Sequence, residues 1–444
     1  MSSFLRQRPA YRLVAAAAFL TACAASPQAD PRDAATETDP PRGEIETPST
    51  PPAPSYTPSG NTSMDSWRDD FAARAIATGR DPDIVFATLE GIRPLALYLG
   101  DEAGVAKTGI EDQAEFAKPI WDYVASAVTD SRKTRGGERL IELISTFDRI
   151  EAAYGVDREA ITAIWAMETN LGSYIGRYDA ANTLANMAVE GRRRTLAESE
   201  LIALMKMQER GEVARDDLVS GWAGAMGQTQ FMPSTFLTYA VDFDRDGVKD
   251  LWNSPSDALA SAANYLRASG YQKDLPWGVE VAAGLEFDWS LADGEDRRLS
   301  TWKSLGVTPM ADEGFRAPDT AFAELWLPTG ATGPKYLLFK NFHVFKAYNR
   351  SDSYAFSVGL LTDGVVGKTG PVAAWPTELE LLTRRDVMLL QDHLNQLGFD
   401  AGAVDGIAGR GTKGALRRFQ KANEIAPADG YPTMLALEQV LAAR

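Results

Sequence analysis

Cysteine and histidine are nearly absent from this chain, with one cysteine and two histidines in 444 residues. One sulfur cannot bridge itself, so no disulfide within the chain holds the fold. His343 and His393 are too few and too scattered for a zinc centre. His343, in a strand-like run beside Phe342, reads as packing, and His393 as a surface position on a helix. Positive charge is also scarce. Lys and Arg number 45 against 61 Asp and Glu, for a formal net charge of −16. A nucleic-acid partner would want a basic face, so that class is excluded. Long apolar runs are missing as well. The run Leu13-Val14-Ala15-Ala16-Ala17-Ala18-Phe19-Leu20 is too short to cross a bilayer, and no other stretch comes closer.

That run follows Arg6, Arg8 and Arg12, the order of a secretory leader. It ends in Leu20-Thr21-Ala22-Cys23, which resembles the bacterial lipobox. The resemblance implies a leader over 1–22 and lipidation of Cys23 as the mature N-terminus. An ordinary leader that happens to hold a cysteine is the alternative. Residues 23–63 are rich in Pro, Ala, Thr and acidic residues, with almost nothing large and apolar. Such a stretch cannot bury enough surface to fold and reads as a disordered tether. Ala24 after Cys23, by resemblance to sorted lipoproteins, favours the outer membrane. The expected location is periplasmic and lipid-anchored.

The remaining chain is long enough for two or three domains. Residues 64–275 carry helical periodicity, with apolar sets at Phe71, Ala75, Val85 and Leu89, then Leu140, Ile141, Ile144 and Phe147. Residues 278–349 read differently. Gly278–Gly284, Ala323–Leu327 and Tyr336–Lys340 suit short strands of a small antiparallel sheet. Helix resumes near Ser353–Leu361, and Gly364–Pro376 is a loop or linker. Three short amphipathic helices follow, with Thr412 and Thr433 as candidate caps.

Glu168 is the residue with the most to say. Ile161, Ile164, Trp165 and Glu168 fall at i, i+3, i+4 and i+7, on one helix face that should point inward. Asp157 is a plausible start of this helix and Gly172 a plausible stop. A carboxylate on an inward face is either paired with an arginine or desolvated and easier to protonate. The negative end of its own helix acts in the same direction as burial, raising its pKa. A carboxyl that keeps its proton near neutral pH can serve as a general acid.

A second stretch is Ser220-Gly221-Trp222-Ala223-Gly224-Ala225-Met226-Gly227-Gln228-Thr229-Gln230-Phe231-Met232-Pro233. Its glycines allow close backbone approach to a ligand. Trp222 and Phe231 offer apolar faces, and Gln228 and Gln230 can hydrogen-bond sugar hydroxyls or acetamido groups. A tight packed turn would have the same composition.

Taken with Trp165-Ala166-Met167-Glu168-Thr169-Asn170, Asn264-Tyr265-Leu266 and Tyr348-Asn349-Arg350-Ser351 with Tyr354, this stretch resembles the membrane-bound lytic murein transglycosylase B family. The resemblance covers roughly residues 64–362, in motif order. It implies a mainly α, lysozyme-like catalytic domain over 64–370 with a small β insertion. It implies cleavage of the bond between N-acetylmuramic acid and N-acetylglucosamine in peptidoglycan glycan strands, leaving a 1,6-anhydro end. Glu168 matches the catalytic acid and base. Gln230, Tyr265, Tyr348 and Tyr354 match positions that bind the glycan. In one respect the chain departs: the family has Gly-Ser before the aromatic residue, and here the order is Ser220-Gly221, which puts help from a serine in doubt. No second acid lies in these motifs, whereas hydrolysing glycosidases generally use two. A hydrolytic muramidase and a non-catalytic wall-binding lipoprotein are the rival readings.

Asp242-Phe243-Asp244-Arg245-Asp246-Gly247 fits the first half of an EF-hand loop, with Asp242, Asp244 and Asp246 as ligands. The twelfth position is Asn253 rather than a bidentate Glu, so a weak calcium site is expected, with an ordinary acidic turn without metal as the alternative; no cofactor is required. Finally, Leu397-Gly398-Phe399, Val404-Asp405-Gly406 and Phe419-Gln420 resemble the three-helix peptidoglycan-binding domain, over 378–444. The partners implied are the glycan strands, the membrane through the lipid anchor, and proteins of cell-wall synthesis.

Overall fold

The computed structural model describes residues 55–99, 119–284 and 286–443. The leader, Cys23 and most of the proposed tether lie outside the described residues. Among the described residues, no helix is long and apolar enough to cross a membrane.

Two helical cores sit side by side. One gathers around the helix Arg158–Thr169, which carries Glu168. Ala160, Ile161, Ala163 and Ile164 are fully buried there, and the helices Ile144–Tyr154, Pro255–Ala268 and Asp352–Gly364 pack against it. The other core forms where Thr62–Ala77, Ala180–Glu190, Arg194–Glu209 and Pro233–Tyr239 meet. Tyr348 packs against both cores, so the seam between them runs past this residue.

The apolar spacing of the sequence is honoured with one exception. Leu140 and Phe147 are buried, but Ile141 is 76% and Ile144 50% exposed. Ile141 stands about 100° round its helix from buried Leu140, and Ile144 follows a break at Leu143 between the helices Asp130–Glu142 and Ile144–Tyr154. A single periodic face does not carry across it. His343 is also corrected: it lies on a short helix, Lys340–Phe345, not in a strand.

The insertion is a five-stranded antiparallel sheet in the order Arg297–Arg298, Phe322–Trp326, Tyr336–Phe339, Gly278–Ala282, Thr308–Pro309. Leu337 pairs with Leu325 on one side and Val279 on the other. Alternate residues of the central strand serve different cores. Tyr336 and Leu338 face the Glu168 core, while Leu337 and Phe339 face a separate cluster around Trp302. A strand covered on both faces reads as a continuous apolar run, which is why Tyr336-Leu337-Leu338-Phe339 shows no alternation.

Beyond the sheet, the last three helices are Arg384–Gln396, Arg410–Ala422 and Met434–Ala442. They close on Leu390, Leu394, Leu416, Phe419, Leu437 and Val440. Thr383 and Asp386 form a capping box on the first, and Thr433 caps the third. Thr412 does not cap the second. That helix starts at Arg410, and the Thr412 hydroxyl accepts from Gln391 Nε2 at 3.0 Å inside the module. The preceding segment is pinned to the sheet rather than hanging free. Glu280 accepts from the Val372 and Ala373 amides at 2.6 and 2.9 Å, and Trp375 packs edge-on against Phe356.

Candidate active site

Glu168 lies half-buried in the last turn of its helix, one residue before the chain leaves the helix. The exit is unusual. Asn170, Leu171 and Gly172 all have left-handed backbones, with φ of 53°, 64° and 76°. For the two non-glycine residues this costs about 1–2 kcal/mol each. Three contacts hold the strained exit. The Leu171 amide donates to Trp165 O at 3.2 Å, the Arg135 guanidinium donates to Asn170 Oδ1, and the Gly172 amide donates to Thr169 Oγ1 at 3.1 Å. The helix therefore stops at Thr169, with Asn170 as its left-handed cap, and Gly172 belongs to the turn beyond. Asp157 stands at the helix start but makes no cap bond; its carboxylate accepts from the Tyr271 hydroxyl at 2.8 Å.

Within the same core, the Tyr354 hydroxyl donates a hydrogen bond to Glu168 Oε1. Tyr354 sits in the first turn of the helix Asp352–Gly364, which Ser351 caps by accepting from the Tyr354 amide at 3.3 Å. Burial, and after it the Glu168 charge, hold the phenol pKa of Tyr354 well above its ordinary value. The hydroxyl therefore stays a donor at any working pH. Tyr348 is pushed up for the same two reasons, in the same order. Its hydroxyl is buried without a hydrogen-bond partner. An unpaired buried hydroxyl is costly unless something polar arrives to meet it. Glu168 is the carboxylate among the principal charges acting on both phenols.

Tyr265 joins this group by packing edge-on against Tyr348, with ring centroids 5.2 Å apart. Its own hydroxyl is engaged by Ala347 O at 2.8 Å. Gln230 lies on the neighbouring loop with φ of 50°. Its amide nitrogen donates to Gly227 O at 2.9 Å and reaches Ile175 O at 3.4 Å. Of the glycan-contacting candidates, then, Tyr348, Tyr354 and Tyr265 gather with Glu168. The Gln230 amide group is folded back on its own loop.

Gln228 has a different role from the one its chemistry suggested. Its Oε1 accepts from Trp165 Nε1 at 3.1 Å, and its Nε2 donates to Trp252 O at 3.1 Å. Its main-chain carbonyl accepts from the Thr169 hydroxyl at 2.6 Å. Gln228 is a buried bracket between the glycine-rich loop and the Glu168 helix. Phe231 is likewise core, 1% exposed, whereas Trp222 is 36% exposed. Ser220 is fully buried, its hydroxyl 3.0 Å from Gly221 O and 3.3 Å from Tyr178 O. Both contacts are to main chain of the short ribbon it belongs to, so the departure noted in the sequence leaves a structural serine.

The acidic loop assembles a different trio from the expected one. Carboxylate oxygens of Asp242, Asp244 and Asp257 lie within 4.8 Å of one another. Asp246 is outside this group, and its Oδ1 accepts from the Val248 amide instead. Asp257 comes from the first turn of the helix Pro255–Ala268. It was legible only as an acid after Ser254-Pro255, a helix start with no link to the loop in sequence. It is fully buried and accepts from the Phe243 and Asp250 amides at 2.8 and 3.0 Å. Burial still raises its pKa. Lys249 points away, to Glu212 at 2.6 Å. Three crowded carboxylates, one desolvated, fit a hard divalent cation with oxygen ligands.

Comparison with known proteins agrees with this geometry. Residues 63–363 match the family described as transglycosylase SLT domain, and residues 383–439 match a peptidoglycan binding domain. The membrane-bound lytic murein transglycosylase B of Escherichia coli is 33% identical over 232 residues, which span 49% of this chain and 59% of that relative's length. The crystal structure of SltB3 from Pseudomonas aeruginosa, in complex with NAG-anhNAM-pentapeptide, is similar at 39% identity and a TM-score of 0.77, covering 86% of this chain and all of that one. The Escherichia coli lytic transglycosylase Slt35 in complex with calcium is similar at 26% identity and a TM-score of 0.55, covering 69% of this chain and 93% of that one. This chain belongs to the transglycosylase SLT domain family, with a peptidoglycan binding domain behind its catalytic fold.

Proposed function

We propose that this protein is a lytic transglycosylase of peptidoglycan, with Glu168 as its single acid and base. The carrying observation is one half-buried carboxylate held by a buried phenol and faced by a second phenol that lacks a partner. Glu168 as the acid gives its proton to the glycosidic oxygen while the bond from C1 of N-acetylmuramic acid to that oxygen breaks. As carboxylate it then takes the proton of the sugar's own 6-hydroxyl, whose oxygen bonds to C1. The acid is restored, a 1,6-anhydro ring forms, and no water is consumed. An intramolecular nucleophile needs no positioned water, and proximity lowers the barrier. The SltB3 complex with NAG-anhNAM-pentapeptide supports this product. Mass spectrometry of digested murein tests it. Anhydro ends, one water lighter than hydrated ends, are expected; hydrated reducing ends would mean a muramidase.

Tyr354 positions the carboxylate. A hydrogen bond to a charged group is worth about 1.5–3 kcal/mol. Tyr354→Phe should therefore lower kcat roughly 10- to 100-fold, with KM for sacculi changed little. A KM effect larger than the kcat effect would make Tyr354 a substrate contact instead.

Asp242, Asp244 and Asp257 would hold a calcium ion, with a role in fixing the loop and no part in the chemical step. Slt35 in complex with calcium supports this reading. At a hundred times its dissociation constant, a bound ion stabilises by about 2.7 kcal/mol. Calcium should raise the melting temperature over that in EDTA, and Asp257→Asn should remove most of the gain. Equal melting in both buffers would leave an ordinary acidic turn.

The chain also carries, on this reading, a lipid on Cys23 that tethers it to the outer membrane from the periplasmic side. The lipobox-like Leu20-Thr21-Ala22-Cys23 and the unfolded composition of the next forty or so residues support it. Palmitate labelling that survives Cys23→Ser would end the idea.

A further inference from the structure

A cavity of about 180 Å³ lies where the C-terminal module meets the sheet. One wall, from the catalytic domain, includes Gly294, Glu324, Trp326, Lys346 and Asp352. The other presents Arg410, Lys413 and Arg417. These three fall at i, i+3 and i+7 of the helix Arg410–Ala422, so one face of that helix is cationic.

The cations are short of partners. Among the described residues, the side chains of Arg410 and Lys413 form no ion pair or hydrogen bond; the Lys413 amide donates to Gly409 O at 3.0 Å within the helix. The Lys413 ammonium sits over the Tyr431 ring, 5.8 Å from its centroid. Arg417 donates to Asp429 O at 3.2 Å, but its Nε is buried with no partner. Burial is the chief influence on Lys413 and Arg417, and it lowers both pKa values. The helix end adds to the deficit. Gly409 stands at the N-cap with no side chain to accept from the first amides, and Ala408 and Gly409 line the cavity. Such an end favours an anion.

The nearby acids are already engaged. Asp293 pairs with Arg297 at 2.6 Å and Asp352 with Lys346 at 2.5 Å. Asp429 accepts from the Ala331 and Tyr431 amides at 2.8 and 2.9 Å. Glu324 is buried, which pushes its pKa up to about 7, so it is only partly charged at neutral pH. Its neighbour His343, 3.5 Å away, is pushed down by burial. The charges of the three cations are felt by the acids of the lining, Arg410 by Glu324, Lys413 by Asp352 and Asp429, and Arg417 by Asp293 and Asp429, yet among the described residues none of the three forms an ion pair, which leaves their donors open to an arriving carboxylate.

We propose that this cavity is a carboxylate subsite that takes the free C-terminal carboxylate of a murein stem peptide, held by Arg410, Lys413, Arg417 and the amides opening their helix. This rests on the peptidoglycan reading for the identity of the peptide. Position supports it: Arg410, Lys413 and Arg417 all lie within residues 383–439, the segment that matches a peptidoglycan binding domain. Leu325, Trp326 and Phe342 offer apolar surface to the methyl group of a terminal alanine. The volume suits an end group and not a sugar ring.

The test uses the full chain and a synthetic pentapeptide ending in D-Ala-D-Ala, as free acid and as C-terminal amide, in calorimetric titrations. The acid should bind at least tenfold more tightly than the amide. Lys413→Met and Arg410→Ala should each weaken the acid severalfold and leave the amide unchanged. Both variants should melt with the parent and cut peptide-free glycan strands at the parental rate. Equal affinity for acid and amide, or acid binding undiminished in both variants, overturns the proposal. Inorganic phosphate binding as tightly as the peptide acid would mark a general anion site, which overturns it too. Acid-selective binding by a protein that leaves murein uncut would sustain the subsite and fell the catalytic reading, so the two failures are distinguishable.

Discussion

Glu168→Gln should cost about 10²- to 10⁴-fold in the rate of murein cleavage, the range of a lost general acid and base. The fold should be untouched. Glutamine has the same shape, and its Oε1 can still accept from the Tyr354 hydroxyl that now reaches Glu168. What it cannot do is deliver a proton to the leaving oxygen or take one from the 6-hydroxyl. The substitution therefore isolates proton transfer from packing. Coupling sharpens the test. Tyr354 acts on the reaction through the carboxylate, so Tyr354→Phe added to Glu168→Gln should slow the enzyme no further. If the two losses multiply, Tyr354 touches the sugar by itself. If Glu168→Gln digests sacculi near the parental rate at an unchanged melting temperature, another group is the acid and the proposed chemistry fails.

The Glu168 helix was legible in sequence because its face is a repeated local pattern. Ile161, Ile164 and Trp165 are buried where the 3.6-residue period put them. Three of the five strands of the sheet were legible for a similar reason, as short apolar and aromatic runs between turns, whereas Arg297–Arg298 and Thr308–Pro309 are two residues each and offer no such run. What could not be read is what depends on contact across long separations. Asp257 reaches the acidic loop only because the chain folds back from Ser254, and no spacing rule ties it to Asp242. The exposure of Ile144 follows from a helix break at Leu143 that has neither proline nor glycine to announce it. Gln228 is the clearest case. Its amide could as well have met a sugar, and only the positions of Trp165 and Trp252 show that it is spent inside. Side-chain chemistry lists what a residue can do, and packing decides which of those it does.

The same distinction applies to the glycines of that loop, and Gly227 gives the second large effect. Sequence alone suggested that these glycines let a ligand approach. In the fold they let the protein approach itself. Gly227 has φ of 68°, and a Cβ added there would lie 2.6 Å from Leu251 O and 2.7 Å from Leu251 Cβ. Main chain cannot swing aside as a side-chain tip can. The next residue, Gln228, donates its amide to that same Leu251 carbonyl at 2.8 Å. A collision at Gly227 therefore also strains the bracket to Trp165 and Thr169 that steadies the Glu168 helix. For Gly227→Ala, the left-handed backbone costs about 1–2 kcal/mol and overpacking about 1–3 kcal/mol more. The melting temperature should fall by roughly 5–15 °C, and cleavage should weaken below the new melting point as well. Gly211→Ala supplies the control. Its φ is the same 68°, but nothing lies within 4 Å of the added carbon. It should show the backbone cost alone and leave turnover unchanged. Should both variants melt together, Leu251 yields to the methyl group, and the loop does not depend on that close contact to hold Gln228 against the catalytic helix.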